Sequence, residues 1–157
     1  MATIEKALQI AAKAHEGQTD KDGQPYILHP LRVMHRVEGL ETQIIAVLHD
    51  VVEDTSVTLE DLRAAGFSEL ILDGVHCVTH GKKESYADYV VRCKANPLGR
   101  RVKLADLEDN SRLARLLLRP ARLEGDLKRL RKYAFAYKFL TDQLTEAEYR
   151  KLMADVE

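Results

Sequence analysis

Only two cysteines, Cys77 and Cys93, occur in 157 residues, and no second close pair accompanies them. This excludes a disulfide framework and a cysteine-based zinc site, and the two thiols are expected to pack as buried or semi-buried small apolar groups. An excess of positive charge is also missing. Twenty-four Lys and Arg against twenty-five Asp and Glu leave a formal net charge of -1, so no global field exists to hold nucleic acid. Any polyanion must be met by a local cluster. Long apolar runs are absent: the stretch Ile44 to Leu48 is far short of a membrane span, and the N-terminus lacks the apolar segment and cleavage site of a secretory signal. A cytoplasmic protein is expected. No internal repeat, low-complexity tract or linker is visible, and the length suits one domain over 1–157. With 45% hydrophobic and 31% charged residues the chain is expected to fold by itself.

What is present is helical periodicity. Apolar residues recur at spacings of three and four, as in Ile4, Ala7, Leu8, Ala11 and Ala12, and strand-like alternation is nearly lacking. The fold class is therefore all-α. Thr3 is expected to cap a first helix to about His15, ended by Gly17, and the stretch from Gln18 to His29 reads as a loop because it holds Gly23 and Pro25. Pro30 suits the start of a helix over Leu31 to Val37, which places His29 at its entrance. A third helix is predicted from Glu41 to Glu53, apolar on one side. Thr58 with Asp61 caps a short helix ending at Gly66, and Ser68 caps the next, to about Thr79. Ser85 to Ala95 follows. Asn96-Pro97 breaks it before a long helix through Leu117 that Arg119-Pro120 ends. A helix from Gly125 to Leu140 and a short one opened by Thr145 and Glu148 complete the chain.

Four residues along this pattern suit a divalent metal: His29, the adjacent His49 and Asp50, and Asp106. Two imidazoles with two carboxylates match a cation of intermediate hardness with open positions for water and a phosphate oxygen, Mn²⁺ or Fe²⁺ rather than a closed structural zinc. Glu53 lies four residues after His49, and Asp54 four after Asp50. Acids gathered at a helix C-terminus oppose its dipole, and a bound cation would reverse that sign. Asn110, four after Asp106, can orient a water or a phosphate oxygen.

The order GQTDKDGQPYILHP, VLHDVVEDT and RVKLADLEDN resembles the hydrolase half of the RelA/SpoT family, within the HD metal-phosphohydrolase superfamily, and especially its small stand-alone alarmone hydrolases. The match covers residues 3 to 140. This resemblance implies an all-helical HD bundle, a divalent metal held by His29, His49, Asp50 and Asp106, and a water activated or oriented by Glu53 and Asp54, with Asn110 supporting substrate and nucleophile. It also implies the reaction: removal of the 3′-pyrophosphate of guanosine tetra- or pentaphosphate, as in the stringent response. The synthetase region of the long bifunctional enzymes has no counterpart in these residues, so degradation rather than synthesis is expected.

Positive groups for the phosphates are sought in Lys21, Lys103, Arg129 and, in the loop, Lys82 and Lys83. Arg129 and Tyr133 share a helical face and resemble a phosphate-lining Arg-x-x-x-Tyr pair of the small alarmone hydrolases. Where that family carries an Arg-Lys pair flanking the base, this sequence has Asp20-Lys21, and an acid there removes a stacking platform. Another phosphorylated nucleotide or cofactor therefore stays open, NADPH having precedent in the family, as does a nucleotide-binding module without turnover. A two-iron oxygenase would need ligands beyond His35, the spare histidine nearby. His35 is expected on the surface of the second helix, and His15, His76 and His80 receive no role. The expected partner is a small phosphorylated nucleotide, with no nucleic acid and no membrane, and a homo-oligomer is left open.

Overall fold

The computed structural model describes residues 1–113 and 120–157, and among these every regular element is a helix. They are α1 (Ile4–Ala14), α2 (Leu28–His35), α3 (Leu40–Leu48), α4 (Val51–Asp54), α5 (Leu59–Ala64), α6 (Glu69–Val78), α7 (Tyr86–Ala95), α8 (Pro97–Asn110), α9 (Leu123–Leu140) and α10 (Glu146–Ala154), with a 3-10 turn at Pro120–Arg122 before α9. A single antiparallel bridge, Thr19 with Pro25, closes the turn between α1 and α2. None of the described helices is long and apolar enough to cross a membrane.

The bundle is organised around α3, which packs on α1, α2, α6 and α8. Its residues Ile44 to Leu48 are all buried, so the C-terminal half of α3 is apolar all round rather than on one side as expected, being hemmed in by neighbouring helices, while Leu40 and Glu41 in its first turn stay exposed. Two close approaches set its surroundings. A Cβ on Gly74 of α6 would stand 2.3 Å from Ile45 Cδ1, and one on Gly99 of α8 would stand 2.6 Å from Cys77 Sγ, so glycine is what lets these helices cross so tightly. Cys77 and Cys93 are both buried, each Sγ directed at the other residue's carbonyl.

The capping signals are realised. Thr3, Thr58, Ser85 and Thr145 accept N–H bonds at the starts of α1, α5, α7 and α10, the second and fourth as reciprocal capping boxes. Ser68 begins α6 without a side-chain bond. Three boundaries differ from expectation. First, α2 begins at Leu28 instead of Leu31, so His29 and Pro30 lie inside its first turn; the N–H groups of that turn have no helical acceptor, which makes proline as acceptable there as at the first position. Second, the expected helix from Glu41 to Glu53 is interrupted after Leu48. His49 Nδ1 lies 2.7 Å from the Ala46 carbonyl, the acceptor that an unbroken helix would offer to the Asp50 N–H. Third, α8 ends at Asn110 with Ser111 as its cap; the rest of the stretch expected to continue to Leu117, and Arg119 with it, lies outside the described residues.

Asn96 ends α7 and starts α8, its side chain accepting from the N–H groups of both Leu98 and Gly99. Asn96→Ala is expected to lower stability by about 0.5–2 kcal/mol, read as a shifted midpoint in urea with an unchanged slope.

Candidate functional site

His49 and Asp50 occupy the junction of α3 and α4, both with helical backbone angles. From there they converge on His29 from α2 and Asp106 from α8. His29 Nε2 stands 3.1 Å from Asp106 Oδ1 and 3.6 Å from Asp50 Oδ2. His49 Nε2 stands 3.0 Å from Asp50 Oδ2 and 3.6 Å from Asp106 Oδ1. The four residues proposed from sequence are thus brought together, and His29, His49 and Asp50 by themselves make a group able to hold a metal ion.

The hydrogen bonds around this quartet fix which of its atoms face one another. The Ala46 carbonyl can only accept, so His49 Nδ1 carries a proton, and neutral His49 has its lone pair on Nε2. That nitrogen is buried and makes no hydrogen bond despite the nearby carboxylates. His29 repeats the pattern: Nδ1 lies 2.8 Å from Asp109 Oδ2, which leaves the Nε2 lone pair facing Asp106. Two nitrogen and two oxygen electron pairs therefore face one another. Burial acts to lower the His49 imidazole, yet the charges and hydrogen bonding of Asp50 and Asp106 together outweigh it and hold the ring well above its usual range. The same field that favours a proton here favours a cation. Separations of 3.0 to 3.6 Å suit atoms sharing one divalent ion, since bonds of about 2.1 Å put neighbouring ligands about 3 Å apart. The donor set fits a divalent metal.

Supporting groups hold each member. Asp106 Oδ2 accepts from Lys103 Nζ at 2.8 Å, and Oδ1 from Asn110 Nδ2 at 2.7 Å. Lys103 is 7% exposed and lies 4.9 Å from the Tyr89 ring centroid, so its charge is committed to Asp106 even though it lines the cavity. Asp109, fully buried, was not singled out from sequence. Besides His29 it accepts two bonds from Arg32 Nε and one from Arg32 Nη2; burial would raise its carboxyl, but His29 and Arg32 hold it well below the usual range. The available signal was spacing: Arg32 follows His29 by three on α2, and Asp109 follows Asp106 by three on α8. Tyr26 was missed too. Its hydroxyl donates to Asp50 Oδ2 at 2.6 Å.

Above the quartet opens a cavity of about 480 Å³, within the range of small-molecule sites. Glu53 and Asp54 stand at its solvent side. Glu53 Oε2 accepts the His80 N–H at 2.8 Å. Partial burial raises both carboxyls above their ordinary values, against the His80 N–H at Glu53, and the charge of Asp50 adds to the effect at each. Tyr86, Tyr89 and His80 form one wall, with His80 stacked on Tyr89. Arg129 and Tyr133 face in from α9, Arg129 also paired with Asp126, while Lys21 enters from the turn after α1. Lys82 and Lys83 do not reach the cavity. Asp20 lines it, but its Oδ1 accepts the N–H groups of Asp22 and Gln24: the acid found in place of a family arginine closes the turn. His35 is exposed as expected, and His76 is exposed as well. His15 is buried behind Tyr26.

A family model described as "HD domain" matches residues 7–91. The chain is 38% identical over 128 residues to a GTP pyrophosphokinase of Streptomyces coelicolor, a match covering 74% of this chain and 15% of that protein. It is 44% identical over 79 residues to a guanosine-3′,5′-bis(diphosphate) 3′-pyrophosphohydrolase of Vibrio cholerae, covering 46% and 11%. A protein of the same name from Aquifex aeolicus is 34% identical over 119 residues, covering 68% and 17%. The chain thus spans less than a fifth of these relatives. Among solved structures, a metazoan SpoT ortholog described as hydrolysing ppGpp superposes with a TM-score of 0.69 at 22% identity, over 99% of this chain and 94% of that one. The helical HD fold is shared.

Removing Arg32 would leave the buried Asp109 carboxylate to His29 and to the more distant guanidinium groups of Arg36 and Arg112, 3.8 and 3.9 Å away. Arg32→Ala is expected to cost about 2 kcal/mol or more, less than for a fully enclosed pair because the guanidinium is partly exposed. Thermal unfolding followed by circular dichroism checks this, and an unchanged midpoint would mean that the pair contributes nothing.

Proposed function

The chain belongs to the HD-domain family, and from that premise we propose that it is a metal-dependent phosphohydrolase that removes the 3′-pyrophosphate of guanosine tetra- or pentaphosphate, releasing pyrophosphate and GDP or GTP. The observation that carries the metal is the convergence of His29 Nε2 and His49 Nε2 with oxygens of Asp50 and Asp106 at separations of 3.0 to 3.6 Å. The observation that carries hydrolysis is the pair of carboxylates, Glu53 and Asp54, lining the cavity beside that set. The guanine alarmone is supported by the names of the relatives in Vibrio cholerae and Aquifex aeolicus. Action in the cytoplasm, in the stringent response, belongs to the same proposal.

A divalent ion, Mn²⁺ in this reading, supplies a lowered water pKa and a polarised phosphoryl oxygen when bound. The chain's own residues do the rest. Glu53 and Asp54 accept the proton of the attacking water, and their raised affinity for it makes them better bases than surface carboxylates. Lys103 and Asn110 fix both oxygens of Asp106, so that the carboxylate keeps its orientation as charge moves to the leaving pyrophosphate. Lys21 and Arg129, both lining the cavity, meet the phosphates, and Tyr133 offers a ring and a hydroxyl to the same cavity.

One feature favours a second reading. Asp20 offers no planar cation to a purine base, so a different phosphorylated nucleotide or cofactor, NADPH included, is the alternative substrate. A module that only bound nucleotide would have no use for Glu53 and Asp54 beside an intact donor set. Incubating the Mn²⁺-loaded chain with ppGpp, pppGpp, their adenine counterparts, NADPH and ordinary nucleotides, and resolving pyrophosphate from orthophosphate, decides among these. Pyrophosphate from ppGpp is the expected product; turnover of another member instead selects the second reading.

Two sets of variants test the roles. His49→Ala and Asp50→Ala are expected to stay helical, lose turnover and hold well under one Mn²⁺ per chain by elemental analysis, and full metal content would remove them as ligands. Glu53→Gln and Asp54→Asn are expected to keep the metal and slow hydrolysis by about 10²-fold or more. Wild-type rates in both would make these acids structural.

A further inference from the structure

The two acids at the cavity are each held by one hydrogen bond from outside their own helix. Glu53 receives a backbone N–H, that of His80. Asp54 lies instead within reach of a side chain: its Oδ2 is 3.3 Å from the Tyr26 hydroxyl, which donates at 2.6 Å to Asp50 Oδ2. Asp50 Oδ2 is also the oxygen nearest His49 Nε2. One hydroxyl therefore touches both the oxygen offered to the metal and the carboxylate offered to the water. The proton stays on it at neutral pH, since an ordinary phenol ionises only at about pH 10.

Tyr26 is itself held. Its ring packs against that of His15 with centroids 4.9 Å apart, and its N–H donates to the Gln18 carbonyl at 2.9 Å. Gln18 Oε1 lies 2.8 Å from His15 Nδ1, and Gln18 Nε2 donates to the Asp54 carbonyl at 3.3 Å. His15, Gln18, Tyr26 and Asp54 thus form a closed circuit joining the end of α1, the turn after it and the end of α4. His15 is 2% exposed, more enclosed than a surface histidine at a helix end would be, and this circuit accounts for it.

We propose that Tyr26 is a positioning residue that ties the metal ligand Asp50 to the proton acceptor Asp54 and so fixes the distance between cation and base. The proposal rests on the phosphohydrolase reading. A hydroxyl has a single proton and two carboxylates within reach, so it aligns one acid with reference to the other rather than neutralising either. Partners of this kind, outside the ligands themselves, typically govern metal affinity and rate by about 10- to 100-fold.

Tyr26→Phe tests it, since the ring and its packing on His15 are kept and only the hydroxyl is removed; circular dichroism verifies the fold. Mn²⁺ binding is measured by calorimetry on wild type and variant, and pyrophosphate release from the best substrate of the panel is measured at saturating Mn²⁺. The variant is expected to bind one Mn²⁺ per chain with affinity lowered about tenfold, and to show kcat lowered about tenfold or more with KM within about twofold of wild type. Affinity and kcat both within twofold of wild type overturn the proposal, as does a loss confined to KM, which would make Tyr26 a substrate contact. Should the wild type release nothing from any nucleotide, the hydrolase reading falls, and the calorimetric comparison alone then decides: a tenfold weaker Mn²⁺ site supports the tie to Asp50, and an unchanged one refutes it.

Discussion

Negative charge and lone pairs crowded into the middle of a helical bundle cost free energy unless something positive joins them, and most of the polar structure here answers that demand. Burying one carboxylate without a partner would cost several kcal/mol, and Asp106 and Asp109 are both buried. The chain divides the answer in two. Behind the quartet Arg32 takes two-point hold of Asp109, and beneath it Lys103 takes Asp106, so those charges are met from within the protein. In front, the Nε2 atoms of His29 and His49 and the facing oxygens of Asp50 and Asp106 are left to an ion. A site with every carboxylate met by an internal cation would be more stable and would bind no metal.

The apolar architecture follows from the same geometry. Four ligands on α2, on α8 and at the α3–α4 junction meet only if those elements are held in register, and α3, buried from Ile44 to Leu48, does this by packing against both α2 and α8. Gly74 and Gly99 bring α6 within touching distance of α3 and α8, which locks the crossing that aims His49 toward Asp106. Stability and site precision therefore share a cause. Loss of packing at α3 would blur the donor geometry before it unfolded the chain.

Much of this was legible in the residues. Thr58 with Asp61 and Thr145 with Glu148 form the capping boxes that their spacing implies, because capping depends on neighbours three apart and on nothing distant. The four donor residues could be named for a similar reason: imidazoles and carboxylates without another use are conspicuous in a helical pattern. What escaped was whatever depends on tertiary approach. Nothing local says that His49 turns its Nδ1 on Ala46 and stops α3. Asp109 reads as one acid more in a charged helix until Arg32 and His29 arrive from 77 and 80 positions away in sequence. Asp20 looked like lost affinity for a base, yet its carboxylate is bound into its own turn. Tyr26 sat in plain view within the recognised motif, but a phenol signals nothing until its two acids are placed.

Asn96 carries a mechanical consequence. Because this residue is the C-cap of one helix and the N-cap of the next, no linker separates α7 from α8, and their direct packing on each other resists a change in their mutual angle. Tyr86 and Tyr89 on α7 and Lys103 and Asp106 on α8 therefore travel as a single stiff jaw. The cavity is also edged by the turn that bears Thr19, Asp20 and Lys21, braced by one bridge, backbone bonds and the Asp20 carboxylate but by no helix of its own. Compliance is thus unequally shared between the two, and a bulkier nucleotide would be admitted by the yielding of that turn, with the metal-facing jaw left in place.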